Sequence, residues 1–382
     1  MGKRKLADGD DYVPTGKRPS KIAKSEVTYK WSEKDWIEDK AFKKNVMRMI
    51  PKPGYENAAP FPSVVKKIEK SGRSRNPSGE YEKPRELLLL QKIRRNNRIV
   101  EPFYTEYNDE NENWTMIFEE HKLGSLVNWR TQEFRDVNAP APVPEVHLWR
   151  FLVNMAQALS VIHNQNGWAQ KSRGKLIHRD IKPDNILVAS NGTGYPSFML
   201  HDFGLSEMVY SHEDEQRRSY CGSYSWQPPE NPLINTPAAD VWAVGACLHF
   251  LAFGDYLIDK HTDDWLENTY PPKMRRRVEE RADHYRLEGQ WYRANALRKI
   301  NSIDKGYLSS TQNPCPAGPS RNYRPNYSSR LDYWMKQALD FEPANRVTVE
   351  RLMNSMVPEA RAKLQELGGD RALENLDLVF YD

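Results

Sequence analysis

With 382 residues, 38% of them apolar and 28% charged, the chain is long enough for two domains or one large two-lobed unit, and its composition is that of a soluble globular protein. The net charge of +4 resides in the first thirty residues, where eight Lys or Arg face four acids, so the neutral remainder argues against a nucleic-acid-binding body. Three cysteines (Cys221, Cys247, Cys315) without metal-ligand spacing, and no apolar run longer than VWAVGACLHFLAF at 241–253, argue against disulfides, a zinc site and a membrane span.

Residues 1–27 are charged, poor in periodic apolar positions and expected to be disordered. KRK at 3–5 with KRPSKIAK at 17–24 reads equally as a two-part nuclear localisation signal or as a solvated basic tail. PSVVKKIEK (62–70) predicts a strand. PRELLLLQKIRR (84–95) predicts a helix with Glu86, Leu90 and Ile93 on one face. A strand pair, IVEPFYTEY and WTMIFEE, follows around the polar turn NDENEN.

From 145 the texture becomes helical, with Leu148, Leu152, Met155, Leu159 and Ile162 recurring at steps of four and three. NILVAS and YPSFML flank Asn191-Gly192, a hairpin signal. HRDIKPDN (178–185) therefore lies on a loop before one strand, and DFG (202–204) on a loop after its partner. The hairpin brings Asp180 and Asp202 toward one edge.

Phosphoryl transfer from a nucleotide needs metal ions on the phosphates, a group that positions the acceptor hydroxyl, and cations on the transferred group. Mg²⁺ prefers carboxylate, amide and phosphate oxygens, which Asp202 and Asn185 would supply. Asp180 would accept a hydrogen bond from the hydroxyl, and Lys182 would meet the transferring phosphate.

These motifs, in this order, resemble the eukaryotic protein kinase family. HRDIKPDN is similar to its catalytic loop, with Ile181 for the commoner Leu and Lys182 in the serine/threonine form. CGSYSWQPPE (221–230) resembles the end of an activation segment, with Ser223 where Thr is common and Glu230 in the APE position. DVWAVG (240–245) resembles the start of a buried central helix whose Asp240 holds the HRD backbone. In LDFEPANRVTVERLM, Arg346 is the expected partner of Glu230.

Upstream, the resemblance implies that a strand Lys, paired with the helix residue Glu86, binds the nucleotide phosphates. Strand alternation from Val64 selects Lys66 over Lys67. WTMIFEEHKLGSL (114–126) resembles the strand and hinge that carry adenine, with Phe118 as gatekeeper and Glu119 to His121 as backbone contacts. Arg179 implies an activation segment held by a phosphate. Ser219 is the first choice of site, Ser211 and Tyr220 follow, and the acidic HEDE run is a partner needing no modification. His201 reads as a strand-end polar residue in preference to a backbone donor, and Cys221 as an ordinary loop residue.

The implied fold is α+β and bilobal, with a small β-rich N-lobe at 62–121 and a mainly helical C-lobe at 122–357. Residues 28–61 are an N-terminal extension or a degenerate start of the N-lobe, and 358–382 a tail whose ENLDLVFYD tucks onto the body. Within the C-lobe, 256–326 is an insertion whose KMRRRVEERADHYRLEGQWYRANALRKI (273–300) predicts a charge-alternating helix, either docking a regulator or covering the lobe. A further insertion, NQNGWAQKSRGKL, spans 164–176.

No GxGxxG precedes the strand Lys: MRMIPKPGYENAAPF holds only Gly54, and backbone amides approach phosphates closely where side chains do not intrude. Three readings follow: a kinase that covers its nucleotide differently, a pseudokinase scaffold, and a chain lacking the segment for its first two strands. The implied cofactors are ATP and Mg²⁺, the partner a protein substrate, with no nucleic acid and no membrane, and the location nuclear or cytoplasmic.

Overall fold

The computed structural model describes residues 31–70, 82–134, 142–164, 174–215, 221–230, 236–257, 285–287, 290–292, 300–304 and 326–381. It opens with an antiparallel sheet of five strands in the order β1-β2-β3-β5-β4. These are β1 (Trp36–Lys43), β2 (Val46–Pro51), β3 (Val64–Lys70), β4 (Tyr104–Asn108) and β5 (Asn113–Glu119), with helix α1 (Arg85–Leu90) between β3 and β4.

The first two strands thus belong to the same sheet as β3, which removes the reading that they are missing. Lys44 and Asn45 alone join them, a two-residue hairpin loop. Asn45 ties that turn to β3, exchanging 2.9 Å bonds with the backbone of Ile68. The stretch MRMIPKPGYENAAPF is therefore β2 and the long β2–β3 connection, and the hairpin tip lies just ahead of it.

The sheet has two faces. Trp31, Trp36, Met49, Val64 and Ile117 pack on one. Leu87 of α1 packs with Trp114 and Met116 on the other.

The mainly helical region follows, built on α2 (Leu126–Glu133), α3 (Glu145–Ile162) and α5 (Pro237–Phe253). In α5 every residue from Asp240 to Ala252 is buried, as expected of a helix apolar on all sides. Gly254 ends it at φ 77°, where a Cβ would meet the Arg130 guanidinium at 2.7 Å. Helix α6 (Ser329–Ala338) and a last helical stretch complete the core. That stretch begins at Val349, passes a π-helical turn at Leu352–Met356 and continues as α7 (Val357–Leu373).

Short strands β6 (Lys175–Ile177), β7 (Ile186–Ala189), β8 (Ser197–Leu200) and β9 (Glu207–Val209) pair as β6 with β9 and β7 with β8. A four-residue helix, α4 (His212–Glu215), follows β9. Among the described residues no helix is long and apolar enough to cross a membrane.

Two expectations change. Helix α1 stops at Leu90, though its buried face continues to Ile93. In the 256–326 segment, Tyr285–Leu287 and Gln290–Tyr292 form an antiparallel pair, β10 and β11, where the sequence predicts helix. Aromatic residues favouring strands on both sides of the dipeptide Glu288-Gly289 outweigh the charge alternation. Residues 258–284, 288–289, 293–299 and 305–325 of that segment, the last including Cys315, the 1–27 tail, Ser219 and Tyr220, and most of the 164–176 insertion lie outside the described residues.

Candidate active site

The β7–β8 hairpin places HRDIKPDN and DFG side by side. Asn191 accepts from Thr193 N and donates to Tyr195 O at 2.7 Å, an Asx-type turn that sets the hairpin. At its open end His201 N donates to Asn185 O at 3.1 Å. The His201 ring joins in: its Nε2 lies 2.9 Å from Asp184 O, the backbone-donor role that the sequence ranks second. Burial lowers this imidazole to about 4, so it stays neutral and can donate there.

Asp180, Lys182, Asn185 and Ser223 form one hydrogen-bonded group. Asn185 Nδ2 donates to Asp180 O (2.9 Å) and Oδ2 (3.0 Å). Lys182 Nζ reaches Asp180 Oδ2 at 2.9 Å and Ser223 Oγ at 2.6 Å. Ser223 N donates to Asp180 Oδ1 at 2.7 Å. Gly222, at φ 84°, makes this approach possible, since a Cβ there would stand 2.1 Å from Arg179 O.

Asp240 organises the loop from below. Its Oδ2 accepts from His178 N (2.8 Å) and its Oδ1 from Arg179 N (3.0 Å). His163 Nε2 lies 2.9 Å from Oδ2, a partner that no motif announces. Burial alone would push this carboxyl up, but the hydrogen bond and charge of His163, with His178, hold it below the usual range. The loop can then carry Arg179 at φ 70°, and DFG carries Asp202 at φ 64°, both strained for residues with a Cβ.

At the sheet the structure corrects the choice of lysine. Lys67, not Lys66, pairs with Glu86. Alternation does separate the two lysines, but the face chosen is the wrong one. Val65, Lys67 and Glu69 stand opposite Phe118, Met116 and Trp114, the face that α1 covers. Val64 and Lys66 stand opposite Glu119 and Ile117, and Lys66 Nζ pairs with Glu33 at 2.5 Å.

Burial alone would lower the Lys67 ammonium. The charge of Glu86 and hydrogen bonds to Glu69 (2.7 Å) and Glu86 overcome this and raise it above the ordinary lysine range. Burial pushes the Glu86 carboxyl up, and Lys67 pulls against it. The other Glu86 oxygen, Oε1, accepts from Phe203 N at 3.2 Å. Beside it, burial would raise Asp202, yet the charge of Lys67, helped by the neighbouring histidines, leaves it below the usual carboxylate range.

The hinge leaves β5 at Glu119, which is exposed, and runs through the half-buried His121 to Gly124. Gly124 N bonds back to His121 O at 2.8 Å. Between Glu119 and His121, Glu120 accepts from Arg48 of β2 at 3.0 Å and from Ser63. This clasp between hinge and sheet carries no motif.

Arg346 grips Glu230 through two bonds (2.8 and 3.2 Å) and lies 5.1 Å over the Trp242 ring. Arg179 donates to Glu207 of β9 and, at 2.8 Å, to Cys221 Sγ. Of the HEDE run, Glu215 takes Lys175 at 2.8 Å and Asp214 caps the amides of Tyr210 and Ser211.

A family model described as protein kinase domain matches residues 55–357. The chain belongs to the protein kinase family. This kinase domain is 27% identical over 294 residues to the mouse serine/threonine-protein kinase STK11, covering 76% of the chain and 52% of that protein. It is 28% identical over 198 residues to the chicken protein of the same name, covering 50% and 40%. It is 27% identical over 218 residues to extracellular signal-regulated kinase 1 of Candida albicans, covering 53% and 47%. The chain therefore spans about half the length of the curated relatives it matches.

Proposed function

We propose that this kinase domain is an active serine/threonine protein kinase, transferring the γ-phosphoryl group of ATP to a protein hydroxyl. The observation that carries the proposal is the double use of Glu86. One oxygen holds Lys67 and the other holds the backbone of Phe203, so the phosphate-binding lysine and Asp202 are set by one buried carboxylate.

The donor set suits Mg²⁺. Asn185 spends its amide N–H on Asp180 and keeps an amide oxygen, and Asp202 is held ionised. One carboxylate and one amide oxygen fit a hard cation that completes its shell with phosphates and water. When bound, Mg²⁺ would neutralise phosphate charge.

The chain's own groups supply the rest. Lys67, in place of Lys66, would grip the α- and β-phosphates. Backbone groups from Glu119 to His121 would bind adenine. Lys182 would steady the γ-phosphate, and Asp180 would accept the hydrogen bond of the substrate hydroxyl.

A second reading, a pseudokinase scaffold, has one observation in its favour: the Lys44–Asn45 tip of the β1–β2 hairpin contains no glycine. A single experiment separates the two. MgATP at a hundredfold its dissociation constant would stabilise the protein by about 2.7 kcal/mol and raise its melting temperature. Phosphate transfer to a peptide mixture would vanish in Asp180→Ala. Absence of both the melting shift and any Asp180-dependent transfer would establish the scaffold.

A further inference from the structure

The segment Asn375–Tyr381 does not trail from α7. It turns back across the molecule and pairs with residues 95–97, which follow α1. Asn97 N donates to Val379 O (3.1 Å), and Tyr381 N to Arg95 O (2.9 Å). Asn97 Nδ2 donates to Asp377 O and Asn97 Oδ1 accepts from Val379 N, both at 2.9 Å. Arg94 lies 4.7 Å over the Phe380 ring.

At the centre is Arg98, 1% exposed. Its Nη2 donates to the carbonyls of Asn375, Leu376 and Asp377 at 2.9–3.1 Å. Its Nε donates to Gln157 Oε1 of α3 at 2.6 Å, and its Nη1 to Asn97 O at 2.9 Å. Every acceptor is a neutral oxygen, and three of the five belong to the 375–377 backbone.

The far side of the same stretch touches the active site. Leu200 N donates to Arg98 O (2.9 Å) and Val100 N to Leu200 O (2.8 Å), and Leu200 lies two residues before Asp202. Residues 95–100 are thus held between the 375–381 segment and the strand that delivers Asp202, and only residues 91–94 separate them from the helix that carries Glu86.

Resting on the kinase reading, we propose that Asn375–Tyr381 is a positioning strap: through Arg98 and Asn97 it holds Glu86 and Asp202 in register for MgATP. A buried guanidinium stripped of three acceptors cannot remain where it is. Release of the strap would therefore move residues 95–100, and with them α1 and the entry to DFG. Arg98 and Asn97 act only through these neighbours.

The test compares the full chain with a chain ending at Leu373 and with Asn97→Ala, which keeps every buried apolar side chain and guards against a truncation that fails to fold. Hydrogen exchange without nucleotide is read at residues 86–100 and 200–204, with α5 as the control. Without the strap, those amides should exchange roughly tenfold faster, the weight of one or two neutral hydrogen bonds, while α5 is unchanged. A synthetic peptide of residues 374–382 should restore the truncated chain. In transfer assays the KM for MgATP should rise by more than kcat falls.

Exchange that is unchanged, or that speeds up equally in α5, would overturn the strap. A full chain that neither binds nor uses MgATP would overturn the kinase reading instead, with the exchange result still deciding on the strap.

Discussion

Glu86 has no water to fall back on: it is 4% exposed, and its two oxygens are engaged by Lys67 and Phe203 N. Removing the ammonium leaves a buried carboxylate unpaired beside Asp202, whereas removing the Lys66 ammonium frees only Glu33, whose side chain is 62% exposed. Lys67→Met should therefore lower kcat/KM for MgATP by about 10² or more, as loss of one preorganised donor does. Lys66→Met should change it by less than about threefold, since a pair with one exposed partner contributes little. Equal losses in the two variants would contradict the assignment. The distinction was only half legible in the sequence. Strand alternation shows that the two lysines point to opposite faces, but Val64 and Val65 are equally apolar. Only the register with β5 shows which face α1 covers. The Arg346–Glu230 pair was legible because each lies in a motif of its own, while His163, Glu207 and Arg48 were not, because each is a lone polar residue outside any motif when it reaches Asp240, Arg179 or Glu120.

At the scale of elements, the parts that could be read are those with a period or a turn signal. These are α3 with its steps of four and three, α5 with its unbroken apolar run, and the Asn191-Gly192 hairpin. Strand β1 had no such signal: seven of its eight residues are exposed, so no alternation betrays it, and the first half of the sheet reads as an extension. The helices also carry a pH dependence. His249 of α5 and His147 of α3 are buried, and burial lowers them to about 3 and about 4. Arg150 adds to the effect on His147, while Asp255 opposes it weakly on His249. A histidine that is neutral when folded but protonates near 6.5 when unfolded contributes stability that is full above 6.5 and lost as pH falls toward the folded value. Between pH 6.5 and 5 the unfolded state binds the extra proton, so stability must fall with pH. Urea titrations of the parent and of His249→Phe should differ in slope over that range by about 1 kcal/mol per pH unit. Parallel slopes would show that His249 is not held neutral.

Over the whole molecule, apolar support is unequal. One continuous core runs from Leu89 through α3, α5 and α6 to Leu376. The outer face of the sheet rests on five buried residues, two of them the stacked Trp31 and Trp36 at 5.1 Å. Strand β1 is an edge strand with register shifts at Glu38/Lys40 and Ala41/Lys43, so its ladder bonds are the ones most open to water. Elements with few buried contacts open locally, well below the cost of global unfolding. Native-state hydrogen exchange should accordingly find β1 and β2 amides opening at least about 3 kcal/mol below those of α3 and α5, with little urea dependence because little surface is exposed. A ligand that binds only the closed sheet must oppose that opening. Saturating MgATP should therefore slow exchange in β2 and β3 while leaving α5 unchanged, by a factor that grows with nucleotide concentration in proportion to occupancy. The hairpin tip has no glycine to bring its backbone against phosphates. If it still covers the nucleotide, the slowing should reach Lys44 and Asn45; if it stops at Lys67, the nucleotide is held from β3 and the catalytic loop alone.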